Sequence, residues 1–438
     1  MHQNPINDIL IKGGNPLHGE VVTNFSKNGA THLLCASLLN KGKTTLRGVP
    51  RIEEVYRIIE IFKSIGVTIE WIEKNALSIK TPQVFEFEKI DREASSQVRS
   101  FLMAMGSLPH HMIEFKIPNA GGCKMGHRSI TAFRHSLEEL GLSITTTEYD
   151  YVIKKGELRP ADITMYEASD TATTATLLLA SCIEGETTIR FAPPNYQVQD
   201  VCFFLERCGV SIEGIGTTTM KVSGIKEINL DIEHFVSEDP IESMMFLSAG
   251  AVTHSELLIK RCPIDFLRVE ILKLNQMGLK TEVGDVYFSY NGRTHLVDIK
   301  IFPSTLIAPY DKIHALPYPG LNTDNLPFFV PIATQAEGST LIHDWMWENR
   351  AIYFTELNKL GANITLMDPH RVLVQGPTPL KGGRIVCPPA LRPSMIILVS
   401  MLASSGESVL HSVYSINRGY EDIFQRLNAI GASIEVLE

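Results

Sequence analysis

LEELGLSI occupies residues 137–144, and close variants of it recur: LERCGVSI at 205–212, LNKLGANI at 357–364 and LNAIGASI at 427–434. FKSIGVTI at 62–69 and LNQMGLKT at 274–281 are weaker copies. Their glycines stand at Gly66, Gly141, Gly209, Gly278, Gly361 and Gly431, separated by 75, 68, 69, 83 and 70 residues. A regular period of that length marks an internal repeat. Each copy reads as the end of a helix, a glycine beyond its last turn, then an alternating strand.

A second phrase runs between the copies. An apolar segment rich in alanine and serine meets a small turn and then a strand. The clearest cases are LLCASLLNKGKTTLR at 33–47, LLLASCIEGETTIR at 177–190 and LVSMLASSGESVLH at 398–411. Residues 246–260 and 331–343 are similar, and 101–116 is a looser member. The unit is therefore helix, turn, strand, then helix, glycine, strand. One unit leaves an apolar face uncovered, whereas six build two cores of three units each. A chain of 438 residues is in any case long for a single core.

Apolar residues make up 44% and charged residues 20%, an ordinary globular balance. No apolar stretch approaches the roughly 20 residues that span a bilayer. The opening MHQNPINDILIKGGNP lacks a basic region followed by an apolar run, so no secretion signal is expected. Seven cysteines, an odd number with no CxxC, point to a reduced, cytoplasmic protein without a cysteine zinc site. A net charge of −9 argues against nucleic acid as a partner but leaves room for a local anion site.

Gly121-Gly122-Cys123-Lys124-Met125-Gly126-His127-Arg128 is the sharpest local motif. Three glycines in six positions make a pliant loop, and cationic neighbours favour the thiolate of Cys123. The rival reading is a buried structural cysteine, the usual fate of that residue. Ser26-Lys27-Asn28-Gly29 opens the first repeat helix, where Lys27 and Asn28 either hold an anion or are a solvated lysine beside a cap. Asp324, in Asn322-Thr323-Asp324 before an apolar run, reads as an N-cap or a general base. Arg350, Arg392 and Arg418 each fall at the expected start of a repeat helix, and Arg99 interrupts an apolar helical stretch. One such arginine is usually solvated; several at equivalent points of a repeat suggest a shared carboxylate or phosphate site.

With Cys123, the Lys27-Asn28 pair and these arginines in view, the chain resembles the enolpyruvyl transferases. The similarity runs from Gly13-Gly14-Asn15-Pro16 to Gly431-Ala432-Ser433-Ile434. It implies an α/β fold, a two-domain inside-out α/β barrel with six helix/strand repeats, three per domain, and the active site in the interdomain cleft. The expected domains are 24–236, carrying the cysteine loop, and 1–23 plus 237–438. The implied reaction transfers the enolpyruvyl group of phosphoenolpyruvate to a hydroxyl of UDP-N-acetylglucosamine and releases phosphate. The alternatives are another uridine nucleotide such as UMP, shikimate 3-phosphate, or a non-catalytic nucleotide-binding paralogue. No metal, organic cofactor, membrane or obligatory protein partner is implied.

Carried over from the resemblance, Cys123 is the proton donor to the methylene carbon of phosphoenolpyruvate and Asp324 the base beside the acceptor hydroxyl. Lys27, Asn28, Arg128 and Arg418 meet phosphoenolpyruvate, and Arg350 and Arg392 lie nearer its carboxylate. Arg99, Arg128, Ser129, Ile130, Thr131 and Ala132 correspond to acceptor-binding segments. So do Glu167, Ala168, Ser169, Asp170 and Met346. The chain departs from the family pattern at Ser129, Thr131 and Phe133, where the family has Pro, Asp and His. It departs again at Glu167, a lysine in the family, and at Ala390, an aspartate there. The phosphoenolpyruvate side is kept and the nucleotide side has diverged.

Overall fold

The computed structural model describes residues 7–119 and 129–437. Its helices divide into two kinds. The helices Lys27–Ser37, Asp170–Ala180, Pro240–Val252, Phe329–Gln335 and Leu391–Ala403 are buried on every face along almost their whole length, by small and apolar side chains for the most part. The others, such as Glu53–Ser64 and Tyr196–Arg207, bury one face only.

Five sheets repeat one wiring. In the first, Lys43–Arg47 runs parallel to Ile232–Phe235 and antiparallel to Ala76–Lys80, which pairs antiparallel with Thr68–Glu73. The same parallel, antiparallel, antiparallel order recurs around Gly185–Arg190, Glu256–Pro263, Gly338–His343 and Gly406–His411. A sixth, three-stranded sheet is built on Glu114–Pro118. Helices lie inside and sheets outside, so the inside-out arrangement holds. The strands do not join into a closed barrel: among the described residues they form six separate sheets.

Two units borrow strands from distant parts of the chain. Asp8–Gly13 completes the last sheet, placing Ile9 opposite Leu410 and Ile11 opposite Ile434, with both isoleucines fully buried. His18–Val22 runs parallel to Glu256–Pro263. Buried apolar side chains form two clusters, one drawn from residues 30–236 and one from residues 9–21 and 241–434. Tyr196 is the exception, joining the second cluster from the middle of the first and packing edge-on against Phe266 with ring centroids 5.7 Å apart. The chain passes between clusters twice, and the two crossings lie side by side: the Ser26 N–H donates to Ser237 O at 2.7 Å, and the Asp239 N–H donates to Asn24 O at 2.9 Å.

The looser unit at 101–116 differs at its helix. Residues 99–110 form three short turns, Arg99–Met103, Ala104–Ser107 and Leu108–His110, in place of one helix. Pro109 supplies no N–H to continue the helical ladder. Among the described residues no helix is long and apolar enough to cross a membrane.

All six repeat glycines adopt positive φ, from 87° at Gly278 to 103° at Gly141 and Gly431. A side chain costs about 1–2 kcal/mol in that region. A methyl group at Gly209 would meet open space, whereas at Gly141 a Cβ would sit 2.1 Å from Glu157 O. Gly209→Ala is expected to cost about 1 kcal/mol in urea unfolding, and Gly141→Ala clearly more, because strain and collision add there.

Candidate active site

Apart from Ala403 at the far end of the last, burial leaves open only the first residues of three of the buried helices: Lys27 and Asn28, Asp170 and Thr171, and Leu391. All five line one cavity of about 270 Å³. Helix N-termini carry partial positive charge and unpaired N–H groups, so their convergence favours an anion. The cavity is walled by both clusters. Lys27, Glu54 and Arg99 come from the first, and Asp324, Trp347, Arg392 and Arg418 from the second.

The Lys27 ammonium lies 2.9 Å from Glu54 Oε2 and donates to Asn28 Oδ1 at 3.2 Å. Asn28 Nδ2 donates to the Tyr196 hydroxyl at 3.0 Å. Arg418 approaches the same Glu54 oxygen at 3.6 Å, and Ser100 Oγ donates to the other at 3.2 Å. Burial pushes the Glu54 carboxyl up, but Lys27 and Arg418 outweigh it and hold the acid below its ordinary range. His32 sits on the wall with its Nδ1 2.8 Å from Thr174 Oγ1. Burial, aided by Lys27, lowers its pKa to about 3, so the ring is neutral near pH 7.

On the facing side Arg392 Nη2 donates to Asp324 Oδ2 at 3.1 Å and Nη1 to the Tyr420 hydroxyl at 2.8 Å. Burial raises the Asp324 carboxyl, yet Arg392, Arg350 and Lys27 together bring it below its ordinary value. Asp324 is not an N-cap: the turn Leu326–Phe328 begins after Asn325 without a side-chain cap, and its carboxylate faces the arginines. Arg350 is fully buried and lies behind this wall rather than on it. It pairs with Asp344, donates to Thr323 O at 2.7 Å and approaches Asp324 at 3.8 Å. Arg418 does not open a helix either; it ends the single turn Tyr414–Asn417. Arg392 is the second residue of Leu391–Ala403, as the repeat led one to expect.

The expected acceptor residues separate. Arg99 and Asp170 line the cavity. Arg99 donates to Ser129 O at 2.8 Å, and burial lowers its pKa while Tyr151 and Glu167 oppose that shift. Glu167 is exposed and directs its charge at Arg99. Ser169 caps Asp170–Ala180 by accepting from Ala172 N at 3.4 Å. The side chains of Ile130 and Ala132 are buried in the first cluster, Thr131 is exposed, Ala168 is half-buried and Met346 packs on the second cluster. Cys123 and Arg128 lie outside the described residues.

Asp170 is the least ordinary of these. Its Oδ2 accepts from Asn195 Nδ2 at 3.1 Å and from Gln197 Nε2 at 2.6 Å. Burial raises its pKa to about 7, the Asn195 hydrogen bond lowers it, and the Asp324 charge raises it further. The cavity thus holds two carboxyl groups pushed in opposite directions, the arrangement that separates acid from base roles. Sequence reasoning missed Glu54, His32, Asn195, Gln197 and Trp347. Glu54 looks like a solvated acid in the first turn of an amphipathic helix, and Asn195 like an ordinary cap. Trp347 Nε1, which donates to Thr323 Oγ1 at 2.9 Å, offered no local signal at all.

The description EPSP synthase (3-phosphoshikimate 1-carboxyvinyltransferase) belongs to a family model that matches residues 11–427. A UDP-N-acetylglucosamine 1-carboxyvinyltransferase from Treponema denticola is 31% identical over 437 residues, covering 99% of this chain and 100% of its own. The enolpyruvyl transferase NikO from Streptomyces tendae has the same fold, with a TM-score of 0.85 at 21% identity over 98% of this chain and 99% of its own. An EPSP synthase from Acinetobacter baumannii superposes with a TM-score of 0.74 at 20% identity, covering 99% and 100%. The chain belongs to the EPSP synthase family, and the protein is an enolpyruvyl transferase.

Burial raises the pKa of all six described cysteines, to about 11 at Cys182 and about 12 at Cys35, Cys208, Cys262 and Cys387, with Cys202 also raised. Since the thiolate is the nucleophile, iodoacetamide at mildly alkaline pH is expected to label Cys123 first. Peptide mass mapping checks this, and earlier labelling elsewhere would contradict it.

Asp170 supplies a second test. Its carboxyl binds a proton more tightly folded (about 7) than at its ordinary 3.8. The folded state therefore loses stability as pH rises through that window, and ionisation imposes the full penalty above about 7. Asp170→Asn cannot ionise. Its melting temperature relative to wild type is expected to climb between about pH 4 and about pH 8; a constant difference would mean that Asp170 is already ionised in the fold.

Proposed function

We propose that the enzyme transfers the carboxyvinyl group of phosphoenolpyruvate to a hydroxyl of UDP-N-acetylglucosamine, releasing phosphate. The observation that carries this reading is one cavity in which Lys27, Arg392 and Arg418 gather beside the ionised Asp324. A dianionic or trianionic small molecule fits the cations, and the carboxylate suits a proton leaving an alcohol. The Treponema denticola relative supports the choice of acceptor.

On this reading the chain divides into domains at 24–236 and at 1–23 plus 237–438. Cys123 protonates the methylene carbon of phosphoenolpyruvate, leaving an oxocarbenium-like centre at the adjacent carbon. Asp324 accepts the hydroxyl proton as the acceptor oxygen attacks that centre, giving a tetrahedral adduct. The C–O bond to phosphate then breaks, the phosphate takes up the proton held by Asp324, and a methyl proton returns to the thiolate, which restores the double bond. Proton transfer by positioned groups contributes roughly 10²–10⁴-fold. Lys27 and Arg418 would hold the phosphate, with Asn28 and Arg128 beside it, and Arg392 the carboxylate. Such groups are worth most in a site closed to water. Arg350, behind the wall, would orient Asp324.

A second reading keeps the reaction and changes the acceptor to a smaller uridine nucleotide such as UMP. The observation in its favour is Glu167, whose charge falls on Arg99 at the expected nucleotide side.

Phosphate release from phosphoenolpyruvate with UDP-N-acetylglucosamine, UMP and shikimate 3-phosphate tests both. UDP-N-acetylglucosamine is expected to give the highest kcat/KM, and Glu167→Lys to increase it relative to UMP only if the second reading is right. Arg392→Ala and Arg418→Ala are each expected to raise the KM for phosphoenolpyruvate roughly tenfold or more, the worth of a charge-assisted hydrogen bond, with a smaller effect on the acceptor. Equal loss for both substrates would point to general damage and sink the assignment of these arginines.

A further inference from the structure

The acceptor side of the cavity has a feature that the general reaction does not require. Asp170, Asn195 and Gln197 all line it, and the two amides come from the start of the helix Tyr196–Arg207. Both amide N–H groups converge on one carboxylate oxygen, Asp170 Oδ2. The other, Oδ1, has no hydrogen bond among the described residues. Ser169 already caps the helix, so Asp170 is free of that duty. Asn195 spends its own oxygen on the Tyr196 N–H at 2.9 Å. Gln197, only 4% exposed, leaves Oε1 with no described partner. A buried acceptor left unpaired costs about 1–3 kcal/mol, so such a group is expected to meet a donor when the site fills.

Two oxygens without a described partner therefore belong to residues that line the cavity, and no ion pair reaches Asp170 among the described residues. The cations of the cavity have other partners: Lys27 with Glu54, Arg392 with Asp324 and Tyr420, Arg418 with Glu54, and Arg99 with the Ser129 carbonyl oxygen. Towards these two oxygens a phosphate brings only acceptors and negative charge. A hydroxyl brings a proton to donate. Asp170 and Asp324 line the same cavity of about 270 Å³. One ligand in it can meet both side chains.

We propose that Asp170 and Gln197 together bind the hydroxyl adjacent to the one that attacks, so that the acceptor is recognised as a vicinal diol. Asn195 is a positioning residue that orients Asp170 by occupying Oδ2. This rests on the reading of Asp324 as the group beside the attacking hydroxyl. It applies to a ribose and to a hexose alike, and it makes this wall the specificity-determining part of the acceptor site. A site built around hydrogen bonds to a hydroxyl rejects an analogue that lacks it far more strongly than an apolar pocket would.

The test pairs acceptors that differ only at the neighbouring hydroxyl: UMP against 2′-deoxy-UMP, and UDP-N-acetylglucosamine against its C4 epimer UDP-N-acetylgalactosamine. Phosphoenolpyruvate-dependent phosphate release is followed for wild type, Asp170→Ala, Asp170→Asn and Gln197→Leu. For whichever parent acceptor wild type uses, the analogue is expected to lose ten- to a hundredfold in kcat/KM, mostly through KM. Asp170→Ala should bring the parent down to the analogue and leave the analogue unchanged, collapsing the ratio towards one. Asp170→Asn, which keeps an acceptor oxygen, should recover part of the discrimination, and Gln197→Leu should lose part of it. Equal use of parent and analogue by wild type, or an equal loss for both in Asp170→Ala, would overturn the proposal while leaving the reaction standing. No turnover of any of these nucleotides by wild type would instead bring down the reading of the reaction, and this inference with it.

Discussion

The carboxylate of Asp239 ties the two clusters of the molecule together. Its Oδ1 caps the helix Pro240–Val252 by accepting from the Ile241 N–H at 2.9 Å. Its Oδ2 accepts from the Lys27 N–H at 3.3 Å, the first residue of the buried helix opposite. One side chain thus satisfies orphan N–H groups of a helix in each cluster. Burial raises its pKa to about 6, against the opposing pull of Arg392. The Arg392 charge, and after it the Ile241 and Lys27 N–H groups, favour its ionised form. The two crossings of the chain are hydrogen-bonded beside this point, and the position of Lys27 relative to Arg392 follows from it.

The charge pattern of the cavity follows from the same constraint. Buried apolar helices have to end somewhere, and here their N-terminal turns are the parts left open. The partial positive charge of those turns adds to Lys27, Arg392 and Arg418, so a locally cationic site exists on a chain with a net charge of −9. Cations this poorly hydrated need partners. Glu54 and Asp324 supply them, and both carboxyls are held below their ordinary pKa in consequence. Leaving either cation unpaired in such a place would be strongly destabilising. Among the described residues Asp170 has no cation partner, and burial raises its pKa to about 7, which gives the far wall a different chemistry.

Much of the architecture was legible in the octads. The φ values of Gly66, Gly141, Gly209, Gly278, Gly361 and Gly431 are those of a helix that stops and turns into a strand. The apolar Ala- and Ser-rich phrases are the buried helices. What went unread was the third strand of each unit and the parallel strand at its edge. Asp8–Gly13 in the last sheet and Ile232–Phe235 in the first are placed by pairing across the chain, which no local pattern encodes. Arg392 was legible as a residue near a repeat helix start. Arg350 does stand at the start of a repeat helix, Ala351–Leu360, but its burial was not legible, and Arg418 was legible as an arginine but not in its position. One is sealed behind Asp324 and the other ends a turn.

The sequence by itself determined the six units, their helix ends and the residue types available for anion chemistry, because glycine conformation, apolar periodicity and capping act over a few residues. Only the tertiary structure decided which of those residues share a cavity. Glu54 meets Lys27 and Arg418, and Asp170 meets Asn195 and Gln197, through contacts between helices separated by tens or hundreds of residues. The pKa values of these groups depend on the burial and the charges that those contacts create. They became properties of the protein only when the two clusters packed against each other.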